Sequence, residues 1–202
     1  LASEAPQLAG SPSLDDFAAE PGQTAVVYLP GGPVPRLILA GLGEPGPDLA
    51  ERLRGAAAAA AQKARELKLA RLGWPLAALE GLDLPLPPAA EESLSAALLG
   101  LYAYTALKTA PREPERPESL LLLAESPLSE ELEQAAAAAR AAAAGVCLAR
   151  DLVNAPANLA TPGYLAKAAL ELAERHGFQA EAFEPEQIRE LGMGAFLAVA
   201  KG

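Results

Sequence analysis

Three features of the chain predict an α/β fold. Short apolar runs alternate with alanine-rich segments of high helical propensity, glycine and proline mark the junctions between them, and the alternation persists to about Ser126. The expected architecture is an N-terminal three-layer domain, with a small mixed sheet between helices. A long linker helix and then the truncated start of a second α/β domain should follow. The boundaries this suggests are 1–127 for the first domain, 128–154 for the helix and 155–202 for the incomplete second unit.

Thr24 to Leu29 (TAVVYL) and Arg36 to Ala40 (RLILA) read as neighbouring strands joined by the turn PGGPVP. A helix is expected from about Asp48 to Lys68, with Asp48 as N-cap and Glu51 completing a capping-box-like pair. Its alanines give high propensity and permit close packing. Ala70 to Leu79 (ARLGWPLAAL) reads as a third strand with Pro75 near its end, and a second helix is expected from about Ala89 to Lys108. On that helix Leu94, Leu98, Leu101 and Thr105 recur at three- and four-residue steps, the pattern of a core-facing side.

PREPERP, Pro111 to Pro117, cannot continue a helix and reads as an exposed connection. Leu120 to Leu123 is wholly apolar, as in a strand covered on both faces. A long helix from about Ser129 to Val153 follows, with Ser129 as cap and Glu130 and Glu131 near its positive end. The next helix starts at Thr161 as cap and Pro162 as first residue, and stops at Gly177. FQAEAFE, from Phe178, alternates like a half-buried strand, EPEQIRELG gives a short helix, and MGAFLAVAKG is too short to assign. One helix, one strand and a short helix cannot cover a sheet, so this second unit is expected to be incomplete.

The formal charge of −10 opposes nucleic acid and anionic membranes as partners, and no lysine–arginine cluster reverses that. A single cysteine, Cys147, cannot form an intrachain disulfide, which suits a reducing cytoplasm. The first residues, LASEAPQLAG, lack the basic start and apolar run of a secretory signal, and no stretch has the roughly 20 clean apolar residues of a membrane span. A cytoplasmic protein is expected.

Gly41, Gly43 and Gly46 satisfy GxGxxG between a strand and a helix, the context of a dinucleotide-binding loop. Against this, Pro45 and Pro47 remove backbone donors, and Glu44 and Asp48 place negative charge where an anion would sit. The next strand also ends without an acidic residue for a ribose hydroxyl, so a structural turn is the preferred reading. His176 falls in the last turn of a helix, where a cation suits the dipole. Cys147 lies on a helix without a histidine partner and reads as a small buried apolar residue. Arg150, Asp151, Asn154 and Asn158 form the most polar concentration, read as a helix C-terminus and turn in preference to a ligand site. No HExxH, paired CxxC or DxDxDG motif occurs. No catalytic, cofactor-binding or metal-binding residue is therefore assigned.

The region from Ala149 to Gly202 carries ARDLVN, the turn with Pro156 and Asn158, the helix start at Thr161 and Pro162, and LGMGAFLAVAKG. In this order and spacing it resembles the leucyl aminopeptidase (cytosol aminopeptidase, PepA-like) family. LILAGLG before an alanine-rich helix, LLGLYAYTALK before a proline-rich connection, and the long helix into ARDLVN extend a looser resemblance over nearly the whole chain.

That resemblance implies a macro-like N-terminal domain joined by a long helix to a C-terminal peptidase domain, which begins at about residue 155. It implies a parent enzyme that releases N-terminal amino acids from peptides with two divalent metals, zinc or manganese, and commonly forms homo-hexamers. The metals would polarise the scissile carbonyl and acidify a bridging water. The family's metal and catalytic residues lie in motifs such as GKGITFDTGG and NTDAEGR, which do not occur here, and Lys201 is not its metal-binding lysine. The resemblance thus implies no metal in this chain, no catalysis by it alone, and a part in assembly or active-site access. The alternative is a binding module for DNA or an ADP-ribose-like ligand.

Overall fold

Thr24–Tyr28 (β1) and Arg36–Ala40 (β2) pair antiparallel, with Tyr28 opposite Arg36 and Thr24 opposite Ala40. In the computed structural model, residues 14–29, 31, 34–107, 109 and 117–199 are described. The connection between the two strands is described at residues 31, 34 and 35, and Gly31 there has φ 83°. The Arg36 guanidinium lies 5.8 Å from the centre of the Tyr28 ring across the strand pair.

Leu49–Glu66 (α1) follows. Its entry differs from the expectation: Asp48 is left-handed, with φ 60°, and its side chain makes no capping bond. An N-cap side chain reaches the first-turn amides from extended backbone, which Asp48 does not have. Glu51 instead pairs with Arg54 at 2.6 Å.

Arg71–Pro75 (β3) is shorter than expected. From Pro75 the chain tightens into the 3₁₀ turn Leu76–Ala78, closed by the Leu79 amide on the Leu76 carbonyl. This turn buries both Leu76 and Leu79, which a continuing strand would have sent to opposite faces. Leu86–Gly100 (α2) starts earlier than expected and also ends earlier. Pro87 and Pro88 sit in its first turn, where a missing N–H costs nothing. Leu94 and Leu101 are buried as expected, but Thr105 lies beyond the helix and Lys108 outside the described residues.

Ser119–Leu123 (β4) pairs parallel with β3, Arg71 opposite Ser119 and Pro75 opposite Leu123. It is not covered on both faces: Leu121 and Leu123 are each 44% exposed. Of the expected exposed connection before β4, residues 111–116 lie outside the described set and Pro117 is buried. Glu130–Asn154 (α3) is the long helix, and the Ser129 hydroxyl accepts from the Leu132 amide at 3.4 Å as its cap.

By contacts the chain divides into residues 1–150 and 151–202. In the first unit the helices α1 and α2 pack through fully buried alanines, Ala57, Ala61 and Ala64 with Ala89, Ala90 and Ala97. Such small residues let two helices approach closely. One cluster gathers Leu53, Leu76, Leu79, Ala89, Ala90 and Leu132 from the start of α3, and a second gathers Ala61, Ala64, Leu72, Ala97 and Leu101. Trp74 of β3 packs against both. The small mixed set of strands forms two sheets, β1–β2 and β3–β4, rather than one.

The second unit carries Pro162–His176 (α4), Pro185–Glu190 (α5) and Gly194–Val199 (α6). The Thr161 hydroxyl accepts from the Tyr164 amide at 3.3 Å, and Gly177, with φ 72°, closes the helix C-terminus on the Ala173 carbonyl. FQAEAFE does not form a strand. Alternation makes a strand only where another backbone edge pairs with it, and no strand is present among the described residues of this unit. Ala173 is the one buried residue among those described there, while Phe178, Phe183, Leu191, Met193 and Phe196 are exposed.

Candidate functional site

The glycine loop is held by its own backbone. The Gly41 amide donates to the Gln23 carbonyl at 2.9 Å and the Gly43 amide to the Ala19 carbonyl at 2.8 Å. A phosphate cradle needs such amides unpaired and convergent on one point. Arg52 closes the other side, donating from Nη1 to the Glu44 carbonyl and from Nη2 to the Gly46 carbonyl, both at 2.7 Å. The reason for glycine is steric: a Cβ at Gly41 would overlap the backbone of Ala19 and Glu20. At Gly43, where φ is 73°, it would lie 2.8 Å from the Pro21 ring. Gly46 has nothing within 4 Å of such an atom.

Arg54, on the next turn, bridges α1 and α2 by donating to Glu92 at 2.7 Å and also to Glu51. The hydrogen bond it donates to Glu92 first, then that to Glu51, raises its pKa above the ordinary arginine value, while partial burial opposes the shift.

Arg150 reaches back to the C-terminus of α2, where Nη1 donates to the Leu99 carbonyl at 3.2 Å and the guanidinium lies 5.4 Å from the centre of the Tyr102 ring. A cation there meets the negative end of the helix dipole. The Asp151 carbonyl accepts from the Ala155 amide, and Asn158 is an exposed turn residue. His176 is exposed in the last turn of α4. Cys147 is free and half-buried rather than buried as expected: it continues the four-residue row of Ala135, Ala139 and Ala143 on α3, at the point along the helix where burial falls off. Lys201 lies outside the described residues.

Among the described residues no group of three or more His, Cys, Asp or Glu side chains is placed to hold a metal ion. Among those residues, too, no helix is long and apolar enough to cross a membrane.

Sequence signals had not pointed to Arg52 or Arg54, because each looks like one more charged residue on an amphipathic helix. The cavity between β2 and β3, of about 710 Å³, was likewise invisible, since it arises from how strands pair.

Two family models match the chain in order. That of the cytosol aminopeptidase family, N-terminal domain, covers residues 5–111, and that of the same family's catalytic domain covers residues 147–202. The chain is 44% identical over 197 residues to the "Probable cytosol aminopeptidase" of Syntrophobacter fumaroxidans, covering 96% of this chain and 39% of that protein. It is 35% identical over 198 residues to the chloroplastic neutral leucine aminopeptidase of Solanum lycopersicum, covering 96% of this chain and 34% of that protein. Among solved structures, a tomato leucine aminopeptidase mutant superposes with a TM-score of 0.82 at 30% identity, over 98% of this chain and 39% of the other. The bottromycin maturation enzyme BotP, in complex with Mn, gives 0.74 at 30% identity, over 88% and 36%. The chain thus spans about two fifths of the length of the first of these relatives.

Proposed function

The chain belongs to the cytosol aminopeptidase family, and from that premise we propose that it is the non-catalytic N-terminal part of a two-metal leucyl aminopeptidase. In this reading residues 1–127 form the N-terminal domain, 128–154 the linker helix and 155–202 the beginning of the peptidase domain. The observation that carries it is the order of the two family matches, N-terminal domain and then catalytic domain, on either side of the region from 112 to 146. The uncovered apolar side chains of α4, α5 and α6 support it, because a unit that buries one described residue lacks a core of its own and needs more chain to pack against.

The complete protein, in this proposal, removes N-terminal residues such as leucine from peptides in the cytoplasm, as a homo-hexamer. Zinc or manganese would be held by residues beyond this chain, and the N-terminal domain would serve assembly or access to the active site. The test is to assay the complete gene product for release of p-nitroaniline from Leu-p-nitroanilide after chelation and after readdition of manganese or zinc. Activity that disappears with the metal and returns with it supports the proposal. A complete, folded product inactive with both metals contradicts it.

A further inference from the structure

The two small sheets of the first unit present their open edges to one cavity. The bonds from the Leu29 amide to the Pro35 carbonyl and from the Gly41 amide to the Gln23 carbonyl bracket the β1–β2 ladder. Alternation of an antiparallel ladder then turns the N–H and C=O groups of Arg36, Ile38 and Ala40 away from β1. On β3 the Ala70 carbonyl accepts from the Glu118 amide at 2.7 Å, which sets the parity of the β3–β4 pairing. By that parity Ala70, Leu72 and Trp74 bond toward β4, and the backbone groups of Arg71 and Gly73 point the other way. Among the described residues neither β2 nor β3 has a second strand neighbour.

The cavity of about 710 Å³ lies where these groups point, lined by Arg36 and Ile38 from β2 and by Arg71 and Gly73 from β3. Its walls are largely apolar, including Leu37, Leu72 and the exposed Leu121 and Leu123 of β4. Gly73 leaves one wall without a side chain, and Leu123 lies over that position.

We propose that this groove accepts one further β-strand, supplied by a stretch of the same protein's polypeptide outside these 202 residues, which hydrogen-bonds to both edges and joins two sheets of two strands into one of five. Facing rows of backbone donors and acceptors select an extended backbone, and apolar walls select apolar side chains on it. A second copy of this chain does not supply the strand, because each strand described here already has a partner on one side and the groove needs one open on both. A tethered segment avoids the association cost a free peptide would meet, and it removes two open edges that would otherwise invite aggregation. The greater length of the relatives, of which this chain covers 39% in the first case, leaves ample polypeptide to provide it.

Amide hydrogen exchange resolved to single residues, on the complete gene product and on the 202-residue chain, tests this independently of peptidase activity. The amides of Leu37 and Leu39, which face β1, serve as internal references. In the short chain the amides of Arg36, Ile38, Arg71 and Gly73 should exchange fast while the references are slow. In the complete protein those four should slow by about 100-fold or more, to the level of the references. Fast exchange at the four in the complete protein overturns the proposal. So does slow exchange at the four in the short chain, which would mean that the groove is filled from within it or by a second copy.

Discussion

The Arg150 guanidinium stands 5.4 Å from the centre of the Tyr102 ring while donating to the Leu99 carbonyl, so one side chain near the end of α3 fastens that helix to the C-terminus of α2. Replacing it removes a charge-assisted hydrogen bond, a cation–π contact and a favourable dipole interaction, all partly solvated. Arg150→Ala should lower stability by about 1 kcal/mol in urea unfolding. Arg150→Lys should recover only part of this, because an ammonium does not stack its plane on the ring. Equal stability of Arg150→Ala and the parent would show that the contact contributes nothing.

The glycine loop makes a contrast between two of its members. Gly41→Ala forces a Cβ into the Ala19–Glu20 backbone and should cost about 3 kcal/mol, whereas Gly46→Ala enters open space and should be within about 0.5 kcal/mol of neutral. Thermal unfolding of the two variants measures this. Titration with ADP-ribose gives a separate check: with the Gly41 and Gly43 amides bonded to carbonyls, no saturable binding is expected, and micromolar binding would revive the ligand-loop reading.

At the end of α2 a Cβ on Gly100 would lie 3.1 Å from both the Cα and the carbonyl oxygen of Ala58 in α1. Gly100→Val should therefore push the alanine-packed helices apart and cost about 2 kcal/mol, read as a lower urea midpoint. Gly55→Ala, which meets nothing within 4 Å in the middle of α1, should instead stabilise by about 0.5 kcal/mol or more through helix propensity.

Arg54 ties α1 to α2 through Glu92, but its side chain is 41% exposed and solvent screens the pair. A double-mutant cycle with Arg54→Ala and Glu92→Ala should give a coupling of roughly 0.5 kcal/mol that shrinks in 1 M salt. Because folding raises the pKa of Arg54, the stability its charge contributes is fully present below the ordinary arginine value and is lost only as pH rises through the folded value. Its contribution is then constant across the neutral range. A cycle energy that changes between pH 7 and pH 9 would contradict this.

The elements with local signals were legible. β1, β2, α1 and α3 lie close to the positions that apolar runs and alanine propensity mark, and Thr161, Pro162 and Gly177 bound α4 as their chemistry dictates. The departures come from information that is not local. Asp48 has the right side chain for a cap and the wrong backbone, set by the turn that Gly43 and Arg52 hold. FQAEAFE has the alternation of a strand, but no strand is present among the described residues of its unit to pair with it. Leu121 and Leu123 read as buried on composition alone, and their exposure follows from the open cavity beside β3. For the candidate site, the preference for a turn over a phosphate loop rested on Pro45, Pro47, Glu44 and Asp48. The bonds that occupy the Gly41 and Gly43 amides are tertiary and carry no sequence signature.

The central claim, that the chemistry of this family does not reside in these 202 residues, is tested most directly by assaying the purified chain with Leu-p-nitroanilide in the presence of manganese or zinc. The account predicts no metal-dependent release of p-nitroaniline above the buffer rate, because motifs such as GKGITFDTGG and NTDAEGR do not occur in this sequence. Release that requires the added metal and disappears with a chelator would contradict it.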